Sequence, residues 1–236
     1  MRVINNDSVN GLWGPGGILP GDVLLFDYSG CAGVDLVAGI IRSVQARLLA
    51  DLGAVSWPGV EAHRYSHAAV AGRGGMILEM TSPEARARWG MQLRPGTRLM
   101  ARRARHLGED VGEGLAERIV EAAWRDVAAG RRYPYRELLV YWLWSWGLNK
   151  LLLGRKFADV FRSDRADVCS GSVWRWCVEA GLFRDSSESD LRPEAWYPAR
   201  LAVDENRFRT VGVWKIVEKT ADAGPATLTN EHLRAF

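Results

Sequence analysis

The 236-residue chain has little cysteine: three thiols, Cys31, Cys169 and Cys177, stand well apart. Three cysteines cannot build a disulfide framework, and without a cluster of partner ligands they do not make a zinc site. At least one is therefore a free thiol. Charge of one sign is also lacking. Lys and Arg total 31 against 28 Asp and Glu, a net +3, which does not by itself point to nucleic acid. No apolar run is long enough to span a bilayer, which takes roughly 20 residues. The most apolar stretch, Leu138 to Leu153, is shorter and includes Ser145, Asn149 and Lys150. The first residues are polar and Gly-rich rather than basic then apolar, so no secretory signal is visible and the chain is expected to be cytoplasmic as synthesised. Internal repeats and low-complexity linkers are missing as well.

What is present reads as an ordinary folded protein, 47% hydrophobic and 25% charged, with 11 tryptophans and enough length to bury a core. Residues 1–20 read as an irregular lead-in. Residues 21–217 read as one domain, with a Trp-rich helical insertion at about 135–160, and residues 218–236 as a tail. Pro20-Gly21-Asp22 introduces an apolar strand, Val23 to Phe26. A helix follows, with apolar residues at Val34, Val37, Ile41, Val44 and Leu48. His67 to Ala71 and Met76 to Met80 are strands joined by a Gly-rich turn, and Thr97 to Arg105 is a third strand candidate. Asp110 to Ala129 and Cys169 to Ala180 are helices, the second stopping at Gly181. Val211 to Val217 is the last strand. Strands cluster early, with helices around them, which predicts an α+β fold rather than a regular βαβ alternation.

Position separates the cysteines. Cys169 opens a helix after a polar loop, where free backbone N–H groups and the positive dipole end favour a thiolate. The N–H groups of Cys169 and Ser170 are candidate oxyanion donors. Cys177 lies on the same helix between Trp176 and Val178 and reads as core. Cys31 sits in a Gly-rich turn and is the second choice as nucleophile. A thiol nucleophile needs a base. Of the four histidines, His63 is in a loop, His106 in a basic stretch and His232 in the tail, whereas His67 heads an apolar strand. Glu79, a carboxylate inside the apolar run 76–80, is the candidate orienting group. A three-residue loop, Gly72-Arg73-Gly74, would pair Val70 with Met76 and set His67 directly opposite Glu79.

Pro20-Gly21-Asp22-Val23-Leu24-Leu25-Phe26, Ser66-His67-Ala68-Ala69-Val70 and Gly75-Met76-Ile77-Leu78-Glu79-Met80 together resemble the core of the NlpC/P60 papain-like cysteine hydrolases. Asp167-Val168-Cys169-Ser170-Gly171-Ser172 is similar to their nucleophile motif. In ordinary members the Cys-bearing helix precedes the Pro-Gly-Asp strand; here it follows by about 150 residues. That order resembles the circularly permuted YiiX-like branch, related to lecithin–retinol acyltransferase. The run Gly130 to Tyr135 and Arg192-Pro193-Glu194 are similar to that branch too. The resemblance implies a permuted papain-like fold, an antiparallel sheet with the nucleophile helix packed on it, with Cys169 as nucleophile, His67 as base and Glu79 as orienting group.

The function expected is hydrolysis of an amide bond through a thioester, as by a peptidase or amidase, with cell-wall peptides among the substrates. Neither metal nor cofactor is needed. One alternative is a lipid or acyl-ester hydrolase or acyltransferase. Another is a non-catalytic binding or structural component of a larger assembly. The tryptophans of the 138–153 helix, Trp142, Trp144 and Trp146, are either core or a surface for acyl chain, membrane or protein partner.

Overall fold

In the computed structural model the described residues are 1–31, 39, 41–42, 62–81, 83–90, 93–106, 109–110, 112–133, 169–182 and 198–218. The strands are β1 (Arg2–Asn5), β2 (Val23–Asp27), β3 (His67–Ala71), β4 (Met76–Met80), β5 (Ala85–Trp89), β6 (Arg98–His106), β7 (Glu109–Asp110) and β8 (Phe208–Val217). The helices are α1 (Glu113–Ala128), α2 (Cys169–Glu179) and the short α3 (Pro198–Val203). The sheet runs β1-β8-β6-β2-β3-β4-β5, with β7 paired to β6. All pairings are antiparallel except β1 with β8. The protein is thus α+β, with a mainly antiparallel sheet.

β2 is buried along its whole length because both faces of the sheet are covered. Its alternate residues divide between two cores. Val23 and Leu25, with Ala68, Val70, Leu78 and Met100, face α1 and α2. Leu24 and Phe26, with Ala69, Ala71, Ile77 and Leu99, face Val9, Leu12 and Ile18 of the N-terminal segment. Residues 1–20 are therefore not an irregular lead-in. They supply an edge strand, a 3-10 turn (Asn6–Leu12) and three buried side chains to the second core.

Pro20-Gly21-Asp22 turns the chain into β2. Gly21 has φ 86°, and a Cβ there would lie 2.8 Å from that of Ala116 on α1. Asp22 accepts from the Leu19 N–H at 2.8 Å and takes Arg103 on both oxygens at 2.8 Å. Both long helices end in Schellman motifs. Gly130 (φ 57°) and Gly181 (φ 91°) take the left-handed position, and the Arg131 and Leu182 N–H groups return to Asp126 and Cys177. α2 buries Val173, Trp174, Trp176 and Cys177 completely. The Trp176 indole N–H donates to Asp126 on α1 at 2.8 Å, which fixes one helix against the other.

The strands expected at 23–26, 67–71, 76–80, 97–105 and 211–217 all form, and α2 stops where Gly181 predicts. Asp110 instead belongs to β7, so α1 starts at Glu113. The helix read over 34–52 lies outside the described residues except for positions 39, 41 and 42. The Trp-rich segment with Trp142, Trp144 and Trp146, the run Arg192-Pro193-Glu194 and His232 lie outside them entirely.

Candidate active site

The β3–β4 hairpin positions the first two site residues. Its turn holds Gly74 at φ 64° and Gly75 at φ 81°. Gly72 is extended, and its N–H donates to the Met76 carbonyl at 2.8 Å. The three-residue loop is therefore Arg73-Gly74-Gly75, one residue later than the spacing predicts. Val70 pairs with Leu78 and Ala69 with Glu79. His67 is not directly opposite Glu79, and the expected register is corrected by two residues. A shift of two keeps each side chain on its face, so the two still share one, as diagonal neighbours within reach of long side chains. His67 Nε2 lies 2.8 Å from Glu79 Oε2.

The row continues across the sheet. Phe26 of β2 pairs with His67, and its ring lies 5.7 Å from the imidazole. Tyr28, just past β2, stacks on Phe26 and stands 6.4 Å from His67. On the other side, Arg86 of β5 pairs with Glu79. Arg86 Nε and Arg88 Nε donate to Glu79 Oε1 at 3.0 and 2.9 Å. Arg88 also lies over the Phe26 ring, 5.4 Å from its centroid, and its Nη2 donates to the Tyr28 hydroxyl at 3.4 Å. Glu79 thus has each oxygen engaged, one by the imidazole and one by two guanidinium groups.

Cys169 comes from the other side of the sheet. It is the first residue of α2, it is buried, and its side chain lies near enough to His67, at the N-terminal end of β3, to raise the imidazole pKa. The three residues singled out in the sequence, Cys169, His67 and Glu79, are brought together.

The electrostatics follow from these contacts. Burial alone would lower the His67 pKa. Charge and a hydrogen bond from Cys169, then the bond and charge of Glu79, reverse that and raise it to about 9. Burial would raise Glu79, but His67 and Arg88 hold it well below the usual carboxylate range. Burial raises the Tyr28 hydroxyl, so it stays protonated. The contacts favour an imidazolium beside the Glu79 carboxylate.

The other cysteines are placed differently. Cys177 is fully buried in the main core, and burial pushes its thiol up to about 12. The Cys31 sulfur lies 3.4 Å from the buried Thr97 hydroxyl, a neutral partner rather than a base. Its turn is clasped backbone to backbone: a Cβ on Gly96 would fall 2.1 Å from the Gly30 carbonyl oxygen. Among the described residues no group of three or more His, Cys, Asp or Glu side chains is gathered as a metal site, and no helix is long and apolar enough to cross a membrane.

Sequence reasoning missed Arg86, Arg88, Tyr28 and Phe26. The signal for the arginines was Ala85-Arg86-Ala87-Arg88, a period-two pattern that sets two basic side chains on one face of a strand. Compared with family models, curated proteins and solved structures, the chain matches none.

Proposed function

We propose that the protein is a cysteine hydrolase that cleaves an amide bond through a Cys169-His67-Glu79 triad, on a permuted papain-like fold. One observation carries the reading: His67 is held at 2.8 Å by Glu79 on one ring nitrogen, and the Cys169 side chain acts on the same imidazole, raising its pKa. A base gripped by an orienting carboxylate and aimed at a thiol at a helix start is the general layout for nucleophilic acyl transfer. The order of the motifs, strand and hairpin first and nucleophile helix last, supports the permuted arrangement.

In the mechanism His67 holds the proton taken from Cys169. The thiolate attacks the substrate carbonyl carbon, and the carbonyl π pair moves onto oxygen. The N–H groups of Cys169 and Ser170 at the start of α2 are assigned to that oxyanion, where the helix dipole adds positive charge. Collapse breaks the C–N bond as His67 gives its proton to the leaving nitrogen, leaving a thioester. Water then attacks the thioester with its proton passing to His67, and collapse breaks the C–S bond, so that the acid leaves and the Cys169 thiolate re-forms beside the protonated His67. Glu79 keeps the ring oriented and its positive form stable.

The test is site-resolved labelling. Iodoacetamide at neutral pH, followed by peptide mapping, should modify Cys169 well before Cys31 or Cys177. His67→Ala should slow that reaction by about tenfold or more. Preferred labelling of Cys31, or a Cys169 rate indifferent to His67→Ala, would sink the proposal and favour a non-catalytic scaffold.

A further inference from the structure

The carboxylate at the centre of the site has more cations than it needs. Glu79 carries one negative charge and receives two guanidinium groups. The Cys169–His67 ion pair of the mechanism adds no net charge. Among the described residues one unit of positive charge is therefore left on the row that holds His67. The two arginines are not equivalent. Arg88 is 13% exposed and is spent on Glu79, Tyr28 and the Phe26 ring. Arg86 is 54% exposed and uses only Nε, on Glu79. Its two terminal nitrogens make no further bond among the described residues. They form the fork that takes a planar anion on two parallel hydrogen bonds.

We infer that Arg86 forms an anion subsite in the same site as the Cys169 nucleophile, joined to it through Glu79 and His67, and that the substrate carries a carboxylate on the Arg86 side of its scissile acyl bond. A monoanion matches the single surplus charge, whereas a phosphate dianion would call for more cations than the row supplies. The geometry adds a reason for the choice of arginine. Nε anchors the group to Glu79 while the opposite edge of the same rigid plane stays open to solvent, which a lysine ammonium cannot do. Glu79 thus serves two partners, orienting the base through Oε2 and the anion-binding arginine through Oε1.

This inference rests on the hydrolase reading, and a pair of alkylating agents separates the two. Iodoacetate and iodoacetamide deliver the same methylene to sulfur with loss of iodide, but only iodoacetate carries a carboxylate. On the full chain at pH 7 and low salt, the iodoacetate-to-iodoacetamide rate ratio at Cys169 should exceed the ratio for free mercaptoethanol. Arg86→Gln should lower the ratio about fivefold, as loss of one partly screened charge beyond Glu79 in the same site. Arg73→Gln, at the exposed hairpin tip and paired with Glu117, should leave it unchanged. Acetate should protect Cys169 from iodoacetate at lower concentration than inorganic phosphate does. Fast iodoacetamide labelling with a ratio equal to that of mercaptoethanol, or a ratio unmoved by Arg86→Gln, overturns the anion subsite alone. Better protection by phosphate overturns the carboxylate assignment. Slow iodoacetamide labelling of Cys169 overturns the hydrolase reading and this inference with it.

Discussion

Glu79→Gln is the sharpest single perturbation of the site, because it keeps the shape and removes the charge. The carboxylate accepts from His67 on Oε2 and from Arg86 and Arg88 on Oε1. An amide offers one oxygen and one NH2 group in those two places. If the oxygen faces His67, the NH2 group meets two guanidinium donors. If it is turned over, the NH2 group meets the imidazole, which can accept it only by giving up its Nε2 proton. Either donor faces donor or His67 is held neutral, around a side chain that is 2% exposed. Breaking a buried pair in this way costs about 3 kcal/mol or more. For a chain of this size 1 kcal/mol moves Tm by roughly 2–4 °C, so the expected loss is about 6–12 °C, read by calorimetry or circular dichroism. The His67 pKa should fall together with Tm. The ring sits at about 9 partly because of the Glu79 bond and charge, and removing an adjacent carboxylate lowers an imidazole by about one unit or more. NMR titration of the His67 ring measures that directly. A Tm within 1–2 °C of wild type (roughly the scale of a surface substitution), together with an unmoved titration, would refute the three-way engagement of Glu79.

Two further outcomes follow from the same contacts. His67 has its pKa raised in the folded state from 6.5 to about 9, so its protonation stabilises the fold fully below pH 6.5, and that contribution is lost as pH rises towards 9. Thermal melts across pH 6–9.5 should show wild type losing more stability than His67→Gln, and equal slopes would count against the raised value. Gly96→Ala should cost about 2 kcal/mol or more, because φ is +90° and the new methyl would fall 2.1 Å from the Gly30 carbonyl oxygen, a backbone atom; a denaturant midpoint equal to that of wild type would show that the clasp between the two turns is dispensable.

The strands of the fold were largely legible because β2, β3 and β4 are short apolar runs bounded by Gly and Pro. The edges were not. β1, Arg2-Val3-Ile4-Asn5, is mostly exposed and pairs in parallel with β8, more than 200 residues away, and no local pattern announces such a partner. α3 is only six residues long, too short for helical periodicity to register.

The site shows how far alternation alone carries. Arg73-Gly74-Gly75 and Gly72-Arg73-Gly74 are both plausible three-residue loops; only the positive φ values of Gly74 and Gly75 select the first. Choosing the other misplaces every cross-strand partner by two residues yet leaves every side chain on its face, which is why His67 and Glu79 are still joined. A period of two fixes sides, and sides are enough to assemble one row from four adjacent strands: Phe26, His67, Glu79 and Arg86. It does not fix partners, so the second claim on Glu79, from β5, stayed hidden behind an alternating Ala-Arg run. Cys169 is a different case. It joins the row from a helix packed on the opposite face of the sheet, about 100 residues further on. Strand register says nothing of that meeting, and what pointed to it was the chemistry of a thiol at a helix start together with the order of the motifs.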